Sequence, residues 1–237
     1  MIAPALYLFP VGLSDVPAES VLPQHNLELL KQVRHMVVEN VRTARRFLKS
    51  VDRSIDVNAI EFSELNEHSG PDTDLKAMLD PILRGEAVGV LSEAGCPAVA
   101  DPGSDLVAEA QRRGIRVVPL VGPSSLLLAL MGSGFSGQSF AFVGYLPIEE
   151  GARTRRLKEM QRRIVVEDQT QIFIETPYRN NKLIEELARR LPGDMLLCVA
   201  SDLTGTQESI QTKPLRQWAR GGWDYAKIPT IFLLYHQ

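Results

Sequence analysis

Cysteine is nearly absent: Cys96 and Cys198 are the two in 237 residues. Two cysteines cannot build a disulfide framework, and neither lies in a CxxC or Cys/His ligand pattern, so both are expected as free thiols. The four histidines, His25, His35, His68 and His236, stand apart with no HExxH or comparable spacing, and no metal site is expected. Long apolar runs are missing as well. The best, Leu126 to Met131, is six residues long, against the roughly 20 that a membrane span needs. The opening MIAPALYLFPVGL has no early Lys or Arg and carries two prolines, which reads as a first strand rather than a signal peptide. A cytoplasmic protein with no membrane attachment is the expectation. Surplus positive charge is also lacking: 26 Lys and Arg face 29 Asp and Glu, for a net charge of -3, which argues against a dedicated nucleic-acid binder.

Two phosphate-binding signatures fail too. There is no GxxxxGK[ST], and GSGFSG, Gly132 to Gly137, matches GxGxxG in the wrong context. The dinucleotide fingerprint must follow a strand and open a helix. Here it follows the helical pattern SSLLLALM and leads into the strand-like SFAFVGY, so it reads as a helix-ending turn.

What remains is an ordinary globular composition, 44% hydrophobic and 23% charged, in a chain long enough for one large or two modest domains. Strand-like runs occur at Leu6 to Val11, Met36 to Glu39, Ala87 to Leu91, Val117 to Val121 and Phe140 to Val143. Further runs are Gln171 to Ile174, Met195 to Ala200 and Thr230 to Tyr235. Helical patterns separate the early ones, which predicts parallel pairing in the first half. Asp72 or Thr73 can cap the helix that Gly85 closes, Pro81 predicts a kink or break within it, and Ser104 can cap the next. The clean alternation ends near Val121, so an α/β fold is expected with an N-terminal domain over 1–121 and a C-terminal α/β domain over 122–237.

Three loops carry more than turning requires: FPVGLSDVP, SEAGCPAVADPGS and VGPSS, each after a predicted strand. In open parallel sheets ligands sit at the carboxyl ends of the strands. Ser104 and Ser124 open helices whose free N–H groups can hold an oxygen, and Gly95, Gly103 and Gly122 allow close approach to the backbone. Glu93 and Asp101 can accept hydrogen bonds from ribose hydroxyls or balance a cation. A flat apolar group, a ribose, a positive centre and a small carboxylate suit that set, which together describe S-adenosylmethionine. Two basic segments follow: VRTARRFLK with Arg42 and Arg45, and RTRRLKEMQRR with Arg153, Arg155 and Arg156. Each is either a solvated helix face or a surface for phosphates.

At these residues the chain resembles the tetrapyrrole methylase superfamily of S-adenosylmethionine-dependent methyltransferases, and within it the bacterial small-subunit ribosomal RNA (cytidine 2'-O) methyltransferase group. LYLFPVGLSDV is similar to that group's opening strand and loop, VVENVRTARRFL to AEDTRxTRxLL, and LSEAGCPAVADPGSDLV to SDAGTPxxxDPGxxLV. GIRVVPLVGPSS, FVGYLP, IFIETPYR and IPTIFLLY continue the likeness along nearly the whole chain. Four positions depart from the pattern: Asn40 for the Asp of AEDTR, Glu93 for the Asp of SDAG, and Ser63 and Leu65 for the histidines of YHEHNE.

The resemblance implies a two-domain homodimer, an N-terminal parallel sheet flanked by helices and a C-terminal mixed sheet with helices, with the cofactor in a cleft between domains and no metal. Cofactor contacts are implied at Pro10, Glu93, Ala94, Gly95, Cys96, Pro97, Asp101, Pro102, Ser124 and Ser125. From the second domain they are implied at Glu175, Thr176, Ala200, Pro229 and Thr230. Glu39, Glu64 and Glu67 are the candidate proton acceptors. Arg42, Arg45, Arg153, Arg155 and Arg156 are the candidate substrate contacts. The substrate is expected to be RNA or a ribosomal subunit. Carbon methylation of a tetrapyrrole or another small molecule, and noncatalytic cofactor binding, stand as alternatives.

Overall fold

The computed structural model describes residues 2–66, 68–70 and 73–236, and the chain divides into two compact units, residues 1–124 and 125–237. The first unit carries β1 (Leu6–Phe9), α1 (Gln24–Leu30), β2 (His35–Val38), α2 (Val41–Val51) and β3 (Glu61–Glu64). It continues through α3 (Leu75–Leu83), β4 (Val88–Leu91), α4 (Ser104–Arg112) and β5 (Val117–Pro119). The sheet order is β3-β2-β4-β1-β5, and every pairing is parallel. Alternate side chains of a strand point to opposite faces. Tyr7, Phe9 and Met36 accordingly pack with Leu27, Leu30 and Leu48 of α1 and α2, while Leu6, Val37, Val88 and Val90 pack with Leu79, Ile82 and Leu106 of α3 and α4. A sheet covered on both faces needs strands that are apolar throughout, which is why these runs read clearly in the sequence.

The second unit holds α5 (Ser125–Ser133), β6 (Phe140–Tyr145), α6 (Glu150–Glu167), β7 (Thr170–Ile174), α7 (Asn180–Arg190), β8 (Leu196–Ser201), β9 (Ser209–Pro214), α8 (Leu215–Trp218) and β10 (Thr230–Tyr235). Its sheet is mixed, in the order β6-β7-β10-β8-β9: β6 and β7 are parallel and the other pairs antiparallel. Leu157, Met160 and Ile164 of α6 and Leu183, Ile184 and Leu187 of α7 close over Phe173, Leu197 and Phe232. The fully buried Trp218 donates its indole N–H to the Leu197 carbonyl at 3.0 Å, so the largest side chain of this core leaves no donor unmet.

Several local expectations need correction. Asp74 caps α3, its Oδ1 accepting from the N–H groups of Lys76 and Ala77; Asp72 lies outside the described residues. Pro81 does not break α3, which runs on to Leu83. So near the end of a short helix, its missing N–H forfeits a single intrahelical bond. At α4 the cap is Gly103, with φ +116°, and Ser104 is already the first helical residue. Gly134, with φ +77°, follows the end of α5, as the GSGFSG reading requires. Strands β3 and β9 had no counterpart in the apolar runs.

Candidate functional site

Because β4, β1 and β5 are neighbours, the three loaded loops leave the sheet side by side. They are also tied together. Val11 N–H donates to the Gly95 carbonyl at 2.9 Å, joining the first loop to the second. The Cys96 thiol reaches the Pro123 carbonyl at 3.5 Å, joining the second to the third. A Cβ built on Gly122 would lie 2.2 Å from Cβ of Pro10, joining the third to the first. Within the middle loop Gly95 has φ +72°, and the non-glycine residues Ala98 and Ala100 take φ +65° and +62°. Left-handed alanines cost about 1 kcal/mol or more each and persist only where the surroundings enforce them. Pro10 and Pro97 are buried walls of this cluster, whereas Ala94 is exposed and Ser124 half-buried just before α5.

A carboxylate group gathers beside the loops, around the start of α2. Asn40 caps that helix, its Oδ1 accepting from Arg42 N–H at 2.8 Å and Thr43 N–H at 3.3 Å. An Asp would do the same work, so the Asn in place of the group's acid leaves the backbone undisturbed. Glu39 Oε1 accepts from Glu93 N–H at 3.0 Å, Glu93 Oε1 accepts a hydrogen bond from the Thr43 hydroxyl, and Glu64 Oε1 accepts from Val41 N–H at 3.2 Å. Glu39, Glu64 and Glu93 are thereby brought to one helix start, while Glu67 lies outside the described residues. Asp101 completes the set: burial first, then the charges of Glu39 and Glu93, push its carboxyl up to about 7. Burial, helped by Asp101, likewise raises the Cys96 thiol.

Next to this group opens a pocket of about 310 Å³, lined among others by Gly12, Glu39, Thr43, Phe47, Ser92 and Glu93. That size lies at the small end for ligand sites. Of the expected cofactor contacts only Glu93 reaches its wall; the Gly95 to Pro97 turn and Ser124 belong to the neighbouring loop junction. Thr43 and Phe47 were not singled out from the sequence. Their signal is positional, since they follow the Asn40 cap by three and seven residues and so share one helix face.

In the second unit the implied contacts divide. Glu175 is buried, with Oε1 on Thr176 N–H at 2.9 Å and Oε2 3.6 Å from Arg153 and 3.7 Å from Arg179. Ala200 is fully buried inside β8. Thr230 is buried against Asn180, whose amide nitrogen also reaches the carbonyls of Tyr225 and Ile228 within 3.0 Å. Thr176 and Pro229 are exposed.

The basic segments change character. Arg153, expected to meet phosphate, is 5% exposed, and its guanidinium is held by Glu186 at 2.7 Å and by Glu175; it is a buried structural cation. Arg156 and Arg163 both pair with Glu159 at 2.9 Å, and Arg162 with Glu167 at 2.6 Å. Arg155 stays exposed, as do Arg42 and Arg45, the last over the Phe62 ring at 5.4 Å. Among the described residues no group of three His, Cys, Asp or Glu is placed to hold a metal ion, and no helix is long and apolar enough to cross a membrane.

Three interlocked loops at the ends of a parallel sheet stand beside a carboxylate cluster, and comparison with known proteins gives the class as a methyltransferase. Residues 18–219 match the Tetrapyrrole (Corrin/Porphyrin) Methylases, and the chain belongs to that family. A protein named ribosomal RNA small subunit methyltransferase I from Vibrio cholerae is 32% identical over 215 residues, 91% of this chain and 70% of that one. Its namesake from Mesorhizobium japonicum is 33% identical over 219 residues, covering 91% and 69%. Among solved structures, diphthine synthase superposes with a TM-score of 0.69 at 16% identity, covering 98% of this chain and 89% of that one. Uroporphyrin III C-methyltransferase from Thermus thermophilus gives 0.58 at 18% identity, covering 97% and 96%. Both share the fold. The methyl donor of the family is S-adenosylmethionine.

Proposed function

We propose that the protein transfers a methyl group from S-adenosylmethionine to a ribose 2'-hydroxyl of small-subunit ribosomal RNA, acting in the cytoplasm as a homodimer. The observation that carries the reading is the junction of three interlocked loops with a carboxylate group in a chain that aligns over nine-tenths of its length with ribosomal RNA methyltransferases. The residues fit the donor: a side chain on Gly122 would lie 2.2 Å from Pro10 and one on Gly95 would sit at φ +72°, so both keep bare backbone at the junction, and Glu93 and Asp101 would set carboxylates near a positive centre. Bound there, S-adenosylmethionine supplies a methyl group on a cationic sulfur, ready for in-line displacement by an oxygen. The chain's part is to position and to exclude water. Glu39, held by the Glu93 N–H on the pocket wall, is the group to which this reading assigns the ribose proton.

Incubating the protein with methyl-labelled S-adenosylmethionine and undermethylated small subunits tests this. A 2'-O-methyl blocks alkaline cleavage at its own phosphodiester, so the label is expected in alkali-resistant dinucleotides. Label released in mononucleotides, or label found only when a porphyrinoid precursor is the acceptor, refutes the ribose assignment.

Asp101 makes the site pH-sensitive. The folded protein holds this proton more tightly than the unfolded chain, so folding free energy weakens as pH rises from about 4 towards 7 and levels off above it. Replacing Asp101 with Asn removes that dependence. The melting temperature of the variant is expected to gain on the parent between pH 5 and pH 7.5, and parallel curves would show that the carboxyl titrates normally. A cationic donor opposes the shift, so S-adenosylmethionine binding to the parent releases a proton below pH 7, measurable by calorimetry in buffers of different ionisation enthalpy.

A further inference from the structure

The second unit carries a cationic hollow that the methyl-transfer reading leaves unused. It measures about 470 Å³ and collects Arg153, Arg179, Lys182, Arg189 and Arg190 from the start of α6, the turn after β7 and the length of α7. Three carboxylates share the lining, Glu150, Glu185 and Glu186; Glu186 is paired at its floor, Glu150 is paired but exposed, and Glu185 is exposed on the rim. Glu186 accepts from Arg153 at 2.7 Å and lies 3.2 Å from Arg190, which also meets Glu150 at 3.0 Å. These pairs fix the floor and neutralise it.

The rim is different. Lys182 and Arg189 are exposed and, among the described residues, neither makes an ion pair or a side-chain hydrogen bond. They stand seven residues apart on α7, two helical turns or about 10 Å along one face. Arg179 joins them, its one ion pair among the described residues being the long 3.7 Å approach to Glu175. Immediately before it, Tyr178 is 77% exposed, a large aromatic face left open to solvent beside the cations. Unpaired cations on a fixed base with an open aromatic alongside match the chemistry of an extended polyanion whose bases can stack: cations for the backbone, a ring for a base. A small-molecule site would instead be enclosed and mostly apolar, and Ile148 is the one large apolar side chain among the described residues of this lining. The chain as a whole is acidic, with a net charge of -3, so a local cationic surplus does not follow from composition.

We infer that this hollow is a backbone-phosphate site for the substrate RNA, with Lys182, Arg189 and Arg179 as the phosphate contacts and Tyr178 as a stacking platform. The inference rests on the RNA reading above and adds where the second unit grips. It also replaces part of the basic run on α6, where Arg153, Arg156, Arg162 and Arg163 are taken by carboxylates, with a set drawn mainly from α7.

The test is the salt dependence of binding to deproteinised small-subunit ribosomal RNA. Removing one cation that neutralises a phosphate reduces the slope of log K against log salt by roughly 0.7 to 0.9. The double variant Lys182→Gln/Arg189→Gln, both sites being exposed, is expected to keep the parent's melting temperature and S-adenosylmethionine affinity while its slope falls by about 1.4 to 1.8. Tyr178→Ala is expected to lose several-fold in RNA affinity with the slope unchanged, because stacking releases no counterions. A double variant that keeps the parent slope overturns the inference. If the parent itself methylates no ribosomal RNA the proposed function fails, a result separate from the slopes; methylation with an unaltered slope removes this site alone.

Discussion

Replacing Arg153 with methionine is expected to destabilise residues 125–237 by about 3–5 kcal/mol, the cost typical of stripping one partner from a buried ion pair, and to lower their melting temperature by on the order of 10 °C. The Arg153 side chain is 6% exposed, between those of Glu175 at 5% and Glu186 at 15%, and its guanidinium also donates to the Pro147 carbonyl at 3.2 Å. Methionine fills much of the same volume, so the loss comes from two carboxylates left in a dry environment rather than from a cavity. Arg179 and Arg190 compensate in part, at 3.7 Å and 3.2 Å, which favours the lower end of the range. The cause is separable by a double-mutant cycle. Adding Glu186→Gln to the methionine variant removes a stranded charge and is expected to restore stability, although the same change in the parent breaks a pair and destabilises. If Glu186→Gln instead lowers the stability of the methionine variant further, stranded charge is not the mechanism and Arg153 matters for packing alone.

Arg153 also shows where reading a sequence stops. In the string RTRRLKEMQRR it is one of six cations, and the partners that bury it come 22 and 33 residues later. Nothing local distinguishes it from Arg155, which stays in solvent. Features whose cause is local were legible: the apolar runs of β1, β4, β7 and β10, the Gly and Pro density of the three loops, and the turn after α5. The strand ends drifted where the chain leaves the ladder, as at Pro10 and Val11. Strands β3, EFSE, and β9, SIQTKP, were invisible because polar residues interrupt them. All four outer strands are sheet edges, where polar residues deter pairing with another chain, but β5 and β6 keep apolar runs and these two do not. Of the candidate site, the loops could be named from sequence, but the bonds that tie Val11 to Gly95 and Cys96 to Pro123 depend on β4, β1 and β5 being neighbours, a consequence of strand order that no motif spells out.

That dependence sets the second large effect, at Gly122. A methyl group there would sit 2.2 Å from Cβ and 2.7 Å from Cγ of Pro10, and no rotamer change relieves the clash, because a proline ring is held by its own backbone. The contrast with Gly132 is instructive: its Cβ would lie 2.4 Å from Cδ1 of Ile210, the far end of a side chain that can turn away. Gly122→Ala must therefore push the loop after β5 away from the loop after β1. The bond between Cys96 and Pro123 goes with it, and Asn26, whose amide reaches the Val121 carbonyl at 2.7 Å, is disturbed one residue away. Overpacking of this kind costs about 1–3 kcal/mol, but the larger effect is on the ligand. A site assembled from three loops needs all three in register: a displacement near 1 Å costs on the order of 100-fold in reaction rate, and it also pulls away the loop contacts that hold a ligand. Gly122→Ala is accordingly expected to stay folded, with a lower melting temperature, and to lose S-adenosylmethionine affinity far more than stability, whereas Gly132→Ala loses little of either. Calorimetric titration of both variants decides it. Parent-like affinity in Gly122→Ala would mean that the junction of the loops after β1 and β5 is not where the cofactor is held.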